Sequence, residues 1–150
     1  MNENMIATCG VFDIIHADHI NLFRKMRHCR KDITDVCIFL NSDKSVALNR
    51  GKAPLIPEKQ RLEVLETICW IGQIHIFNEQ RPHEMIRKYQ PAVWAKGGDY
   101  DIESMQSTPI VREYGGEVIT IPHKYGIHSS EIKHRCYDEV REDVMAGRRL

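Results

Sequence analysis

Residues 5–19 read M-I-A-T-C-G-V-F-D-I-I-H-A-D-H, and this stretch decides the fold that we expect. Residues 5–9 are a short apolar run typical of a buried strand, and a helix is expected from Asp18 onward. A strand that turns directly into a helix is a common phosphate site in α/β proteins, because the helix N-terminus offers free N–H groups and a positive dipole end. We therefore predict an anion site in this turn.

Two histidines, His16 and His19, lie three residues apart in the same turn. If both lie near the first helical turn, this spacing places them on one face, where two imidazoles and several N–H groups converge on one anion. The spacing alone leaves open a pair of surface or metal-binding histidines. A zinc site is disfavoured, because no Cys or His partner lies at ligand spacing.

The composition indicates one domain without an overall charge. The chain has 150 residues, with 21 basic and 21 acidic side chains, and its five cysteines form no C-x-x-C pair. We expect neither a nucleic-acid partner nor a membrane partner, because charges cancel, no apolar run spans a membrane and no signal-peptide pattern begins the chain. A cytoplasmic protein with reduced thiols is expected, acting on small molecules or pairing with a second copy.

Strand-like apolar runs alternate with helical stretches along the chain. Strands are expected at 5–9, 36–40, 74–77, 92–95 and 118–121. Helices are expected to include 22–29, 58–68, 82–89 and 109–114, with Thr108 as the N-cap of the last of these. Ser129 or Ser130 is expected to cap a final charged helix. This alternation predicts an α/β fold of Rossmann-like type, with a five-stranded parallel sheet and helices on both faces.

The charge of the C-terminal part suggests a boundary within the chain. We expect the domain proper to occupy residues 1–137, and residues 138–150 to form a charged helical tail that frays or contacts a second subunit. Neither the dinucleotide fingerprint G-x-G-x-x-G nor the P-loop pattern is present. The histidine turn must therefore supply the phosphate site.

Three further segments carry candidate ligand-binding residues. Lys44, Arg50 and Lys52 fall in a stretch expected to be a short mobile loop, which suits capture of a triphosphate or phosphomonoester. A solvated basic loop is the alternative.

After the fourth strand comes K-G-G-D-Y, residues 96–100. Its paired glycines allow a close backbone approach, while Lys96 and Asp99 suit phosphate and ribose hydroxyls. An ordinary glycine turn is the alternative.

Near the C-terminus, Ser129 and Ser130 offer hydroxyls at a helix start, which suits a phosphate as well as a simple N-cap.

The first turn resembles the signature G-x-F-D-x-x-H-x-G-H of the cytidylyltransferase-like nucleotidyltransferases. Gly10, Phe12, Asp13, His16 and His19 match it. Asp18 stands where the family has glycine. We expect its carboxylate to point outward as the N-cap of the first helix, so that Asp18→Gly leaves turnover similar or higher.

The resemblance extends over about residues 6–135. K-G-G-D-Y is similar to the loop in the adenylyltransferase half of the bifunctional heptose-phosphate kinase/adenylyltransferase, and less similar to that of the glycerol-3-phosphate cytidylyltransferases. Residues 127–132 resemble the family's I-S-S/T-T/S-x-I segment, with His128 in place of a serine. Arg61 stands where the family has an arginine that reaches substrate phosphates.

The resemblance implies that a phosphate oxygen of an acceptor attacks the α-phosphorus of an NTP and that pyrophosphate leaves. It implies catalytic roles for His16, His19, Lys44 and Arg61. The implied nucleotide- and phosphate-binding residues are Cys9, Gly10, Val11, Phe12, Asp13, Arg50, Lys52, Lys96, Gly97, Asp99, Ile127, Ser129 and Ser130. Asp13 is expected to orient the turn or a histidine, or to place Mg²⁺ through water. Mg²⁺ is expected to be carried by the NTP phosphates, without a direct protein ligand.

Three functions remain open from the sequence. The first is a heptose 1-phosphate adenylyltransferase using ATP, which K-G-G-D-Y favours. The second is a polyol-phosphate cytidylyltransferase using CTP and glycerol 3-phosphate. The third is a non-catalytic nucleotide-binding or regulatory protein, for which Asp18 is the sequence clue. The family resemblance also implies a homodimer.

Overall fold

A computed structural model describes residues 1–148 of the chain. The strands are β1 (Asn2–Gly10), β2 (Asp35–Asn41), β3 (Gln73–Phe77), β4 (Pro91–Gly97) and β5 (Glu117–Ile121). The α-helices are α1 (Ala17–Arg27), α2 (Asp43–Arg50), α3 (Glu58–Glu66), α4 (His83–Tyr89), α5 (Thr108–Glu113) and α6 (Ser129–Met145). A single 3₁₀ turn, Ile102–Ser104, precedes α5 in this part of the chain.

The five strands form one parallel sheet in the order β3-β2-β1-β4-β5. In its centre, Ile6 pairs with Val36 on one side and with Val93 on the other. The chain builds outward from β1 to β3 and then crosses back to β4, so the direction of winding reverses between β1 and β4. Open α/β sheets bind ligands at the carboxyl ends of the strands beside such a reversal. The predicted Rossmann-like α/β fold is confirmed.

Both faces of the sheet are covered, because the central strands bury side chains on each side. Ile6 and Ile38 pack toward α1 and α3, whereas Ala7 and Phe39 pack toward α4 and α5. This two-sided burial explains why β1, β2 and β4 read as continuous apolar runs rather than as alternating patterns. Within residues 1–148, no helix has the length and apolar character that crossing a membrane requires.

One helix was not predicted: α2 occupies the stretch that was expected to be a mobile loop. The Ser42 side chain accepts a hydrogen bond from the N–H of Ser45 at 3.0 Å, and Gly51 ends the helix in the left-handed conformation at φ 69°. Only Ser45 and Val46 of α2 are buried. The helix therefore lacks the apolar stripe by which a sequence pattern reveals one.

Two predicted helix starts are wrong by one residue. Thr108 is the first residue of α5 rather than its cap, and its hydroxyl donates to the Ile102 carbonyl at 2.5 Å. His128, not Ser129 or Ser130, precedes α6, and the Glu131 carboxylate accepts from its N–H at 3.1 Å. Helix α6 runs unbroken through the boundary expected after residue 137, and that division stays a prediction.

Candidate functional site

A cavity of about 350 Å³ lies beside the reversal between β1 and β4. It is formed by the ends of these strands, the turn into α1, the segment 121–128 and the start of α6. Most of the predicted site residues line it. These are Cys9, Gly10, Val11, Phe12, Asp13, His16, His19, Arg50, Lys96, Gly97, Ser129 and Ser130. The turn is therefore part of a concave site that four segments of the chain build together.

The two histidines of the turn face each other within this cavity. Their rings stack with centroids 3.8 Å apart and an interplanar angle of 30°. His16 is the extended residue before α1 and His19 lies in the first turn, so the i, i+3 geometry is as predicted. The Nδ1 atoms of both are buried and have no hydrogen-bond partner among residues 1–148. Buried polar atoms normally have partners, so two unpartnered imidazole atoms beside a cavity are consistent with a functional site there.

The electrostatics of the pair favour neutral rings in the free protein. Burial lowers the pKa of His16. Burial also lowers the pKa of His19, to about 4, and the neighbouring His16 adds to this effect. An anion bound beside the rings would act in the opposite direction, because it favours the charged form of each imidazole.

The residues before the histidines shape the turn through close packing. Phe12 has a left-handed backbone at φ 49°, and its buried ring lies 5.1 Å from that of His19 and 5.3 Å from that of Phe23. A Cβ atom at Gly10 would lie 2.8 Å from the Phe12 ring, so a larger residue there would displace that ring. The absence of a side chain at Gly10 thus allows the Phe12 ring to pack against the backbone of β1 and against His19.

Asp13 connects the turn to two distant parts of the chain. Its buried carboxylate accepts from the N–H groups of Leu55 at 3.0 Å and Ile56 at 2.8 Å, and pairs with the ammonium of Lys133. Burial opposes ionisation, but the Lys133 and N–H contacts lower the pKa of Asp13 overall. Of the roles that the sequence left open, these contacts fit orientation of the turn.

Asp18 differs from its prediction in both position and direction. It lies inside α1, is 4% exposed, and points inward. Its carboxylate accepts from the N–H groups of Lys124 at 2.8 Å, Tyr125 at 2.9 Å and Ile127 at 3.1 Å. Burial would raise the pKa of Asp18, but these three donors and nearby His123 lower it to about 2. The prediction of an outward-pointing N-cap is wrong. The expectation that Asp18→Gly leaves turnover similar or higher rested on that prediction and loses its basis.

The predicted cations divide into two groups. Arg50 and Lys96 line the cavity, and the Lys96 ammonium lies 3.8 Å from the Cys9 sulfur. Lys44 on α2 and Lys52 beyond it are exposed and lie outside the lining. The expectation that all three cations lie in one mobile loop is wrong, because Lys44 and Arg50 lie on α2 and Lys52 follows it.

Arg61 is buried and does not line the cavity, and its guanidinium donates four hydrogen bonds. It donates to the carbonyls of Ile56 at 2.9 Å, Val11 at 2.6 Å and Asn41 at 2.8 Å, and pairs with Asp43 at 2.8 Å. These contacts tie the segment after β1 to the end of β2. The placement contradicts the expected reach of Arg61 to substrate phosphates.

Two more predicted residues, Asp99 and Ile127, are exposed and lie outside the lining. The other members of their motifs are well placed: Gly97 lines the cavity, and the Ser129 hydroxyl donates to the carbonyl of Ile14 at 3.0 Å. The backbone N–H of Ile127, and not its side chain, takes part in the site, because it donates to the Asp18 carboxylate.

Two histidines and one tyrosine of the lining are not among the predicted site residues. His123 and His128 face each other with ring centroids 4.9 Å apart, and Tyr100 closes the side near Lys96. The only sequence signal for His128 was its departure from the serine of the family segment. Tyr100 is the last residue of K-G-G-D-Y and His123 precedes the segment 127–132, but only the three-dimensional structure shows that they line the same cavity.

A second cavity of about 580 Å³ adjoins the first at the end of β1. Cys9, Gly10, Val11, Arg50, Lys96 and Tyr100 line both cavities. Beyond this shared wall, the second cavity reaches Arg81 and His83 near the start of α4. The shared residues therefore border two neighbouring spaces at the end of β1.

Comparison with known proteins places this arrangement in a family. The family model described as Cytidylyltransferase-like matches residues 7–135. The bifunctional protein HldE of Streptomyces coelicolor is 30% identical over 138 residues, which are 91% of this chain and 29% of that protein. The bifunctional protein HldE of Geobacter metallireducens is 37% identical over 118 residues, which are 77% of this chain and 23% of that protein. The chain thus spans less than a third of the curated relatives it matches.

A solved structure shares the fold. The lipopolysaccharide core biosynthesis protein from Thermoplasma volcanium superposes with a TM-score of 0.66 at 22% identity, over 79% of this chain and 96% of that one. The family match includes the histidine turn, the K-G-G-D-Y loop and the start of α6. The chain belongs to the cytidylyltransferase-like family and is a nucleotidyltransferase.

Proposed function

We propose that this domain transfers an adenylyl group from ATP to the phosphate of a sugar phosphate of the heptose 1-phosphate type, releasing pyrophosphate. The observation that carries the proposal is the stacked pair of His16 and His19 with unpartnered Nδ1 atoms in the cavity. The K-G-G-D-Y loop and the likeness to HldE proteins at 30% and 37% identity support ATP and a heptose acceptor.

The reaction needs no nucleophile from the protein. An oxygen of the acceptor phosphate forms a bond to the α-phosphorus, the bond from that phosphorus to the bridging oxygen breaks, and its electron pair leaves with pyrophosphate. The protein contributes positioning and charge stabilisation. In this proposal, His16 and His19 donate to the α-phosphate and the bridging oxygen as negative charge develops there.

The two adjoining cavities offer separate places for nucleotide and acceptor. Ser129 and Ser130, at the start of α6, suit the outer phosphates of the nucleotide in the first cavity. Arg81 and His83 suit the acceptor in the second. Arg50 and Lys96 line both, where they would neutralise phosphates from either side.

Mg²⁺ fits this site as an ion that arrives with the triphosphate. Within residues 1–148, no group of three or more His, Cys, Asp or Glu side chains could hold a metal. The carboxylates of Asp13 and Asp18 are already engaged by N–H groups and, for Asp13, by Lys133. When bound, Mg²⁺ would neutralise phosphate charge, leaving the positioning to the protein.

The experiment that tests this function measures pyrophosphate release with Mg²⁺, combining ATP, CTP, GTP and UTP with heptose 1-phosphate or glycerol 3-phosphate. Release with ATP and heptose 1-phosphate is the expected result. Release only with CTP and glycerol 3-phosphate would instead establish a polyol-phosphate cytidylyltransferase. Nucleotide binding without release from any pair would contradict the proposal and favour a non-catalytic role. Homodimer formation and a cytoplasmic location stay predictions, and light scattering of the purified protein tests the first.

A further inference from the structure

We propose that Asp18 is a positioning residue, whose carboxylate acts as an internal anion that holds the segment 123–128 in shape for the outer phosphates of the nucleotide. This inference rests on the proposed function, and it concerns how this chain prepares the site before a nucleotide arrives. The starting point is that the position taken by glycine in the family motif carries a buried carboxylate here.

The contacts of Asp18 have the geometry of an anion site that the protein fills itself. Three N–H groups, from Lys124, Tyr125 and Ile127, converge on one carboxylate at 2.8–3.1 Å. Successive N–H groups arranged in this way form a concave nest for an anion. Asp18 lines the cavity, but its side chain is only 1% exposed and its oxygens accept from the loop, so the carboxylate offers little surface to a ligand.

The segment has little else to hold it. Tyr125 is 55% exposed and Ile127 is 38% exposed, so neither side chain anchors the loop in the core. Gly126, between them, adopts a left-handed backbone at φ 69°, which turns the N–H groups on either side toward Asp18. The three hydrogen bonds to Asp18 are therefore the main constraint on the conformation of this loop.

Both ends of the segment carry groups that face the cavity. At one end, His123 places its Nδ1 3.8 Å from the Asp18 carboxylate, and a Cβ at Gly98 would lie 3.1 Å from its Nε2. At the other end, the segment leads through His128 into Ser129 and Ser130. A fixed conformation of the segment 123–128 therefore also fixes the orientation of the His123 imidazole and of the two serine hydroxyls toward a bound polyphosphate.

The charge of Asp18 does not work against the ligand. Its three N–H donors spread and compensate the negative charge. Burial lowers the pKa of His16 and of His19, whereas the Asp18 carboxylate acts to raise both. The carboxylate therefore favours the cationic imidazoles, which attract an anionic ligand. A competing view is that Asp18 occupies a place that a phosphate would otherwise take. The two views predict opposite effects of its removal.

The test compares the wild type with Asp18→Asn and with Asp138→Asn, an exposed control on α6. Asparagine keeps the shape but supplies one acceptor oxygen and turns an NH₂ toward the loop donors. We expect amide hydrogen exchange at Lys124, Tyr125 and Ile127 to accelerate by about tenfold or more in Asp18→Asn, since their acceptors are weakened. The control should leave these rates unchanged.

The second readout is binding and turnover. Asp18→Asn should raise the Kd of inorganic pyrophosphate and the KM of the nucleotide by about tenfold, with a smaller change in kcat and unchanged binding of the nucleoside alone. Unchanged or tighter pyrophosphate binding would overturn the inference and support competition. A general loss of folding would instead weaken nucleoside binding as well.

A measurement on the wild type keeps the inference testable if the variant does not fold. The amides of Lys124, Tyr125 and Ile127 should exchange more slowly than that of Gly126, whose N–H has no acceptor among the described residues. Equal rates across the four would contradict the proposed constraint. If the wild type neither binds nor converts any nucleotide, the proposed function fails, while the exchange rates still judge the role of Asp18 in ordering the loop.

Discussion

At the scale of single residues, the stability of the protein should depend on the protonation of His19. Its pKa is lowered from 6.5 to about 4 by burial first and by His16 second. The unfolded chain therefore binds more protons than the folded one between these values, and the free energy of unfolding should fall as the pH drops from about 6.5 to about 4. His19→Gln should flatten this slope in urea unfolding measured across that range.

The control for this prediction is His28, an exposed histidine just after α1. His28→Gln should keep the wild-type slope. If His19→Gln and the wild type lose stability equally on acidification, then burial of the imidazole does not govern the acid response.

Arg61 gives a second prediction at this scale, because its guanidinium holds three carbonyls and one carboxylate inside the protein. Arg61→Met should cost about 3 kcal/mol of stability, since buried acceptors lose their donors. Arg87→Met, at an exposed ion pair with Glu84, should cost less than about 1 kcal/mol. Denaturant unfolding measures both. A stable Arg61→Met protein that fails only to bind phosphate would restore the role that the family resemblance implied.

At the scale of elements, the strands were easier to predict than the helices. The central strands are buried on both faces, so their apolar runs stand out in the sequence. Helix α2 was missed, because Ser45 and Val46 alone provide its buried face. The start of α6 was misplaced by one residue, since a hydroxyl at Ser129 suits a helix cap and a site residue equally well.

Helix α6 provides the prediction for this scale. None of its residues is buried, and it is fastened near its start by the pair of Lys133 with Asp13 and by the Ser129 contact with Ile14. Lys133→Met leaves the buried Asp13 carboxylate without its cation, and should cost about 1–3 kcal/mol. We expect faster amide exchange throughout α6, whereas Arg141→Met on the exposed part of the helix should not change it. Undiminished protection of α6 in Lys133→Met would show that other contacts dock it.

At the scale of the whole molecule, the sequence predicted which motifs meet but not what holds them together. The parallel sheet brings the segments after β1 and β4 to one edge, so a strand pattern alone could place His16 near Lys96. The contacts of Asp13 with Lys133 and of Asp18 with Lys124 join residues more than a hundred positions apart. No local pattern contains such pairings, and this is why Asp18 was assigned the wrong role.

The two cavities share several lining residues, and this property of the whole fold bears most on function. Cys9 and Gly10 at the end of β1, with Arg50 and Lys96, border both the proposed nucleotide space and the proposed acceptor space. Transfer between two bound phosphates requires such an arrangement, because the reacting groups must approach in line from opposite sides.

The most direct test of this account is single-turnover pyrophosphate release from ATP with a heptose 1-phosphate acceptor, in the wild type, His16→Asn, His19→Asn and the control His28→Asn. The account predicts that each substitution in the stacked pair slows release by about a hundredfold or more, because it removes a donor to the developing charge. The control should react at the wild-type rate. Full activity in both His16→Asn and His19→Asn would contradict the claim that this histidine pair carries the nucleotidyl transfer.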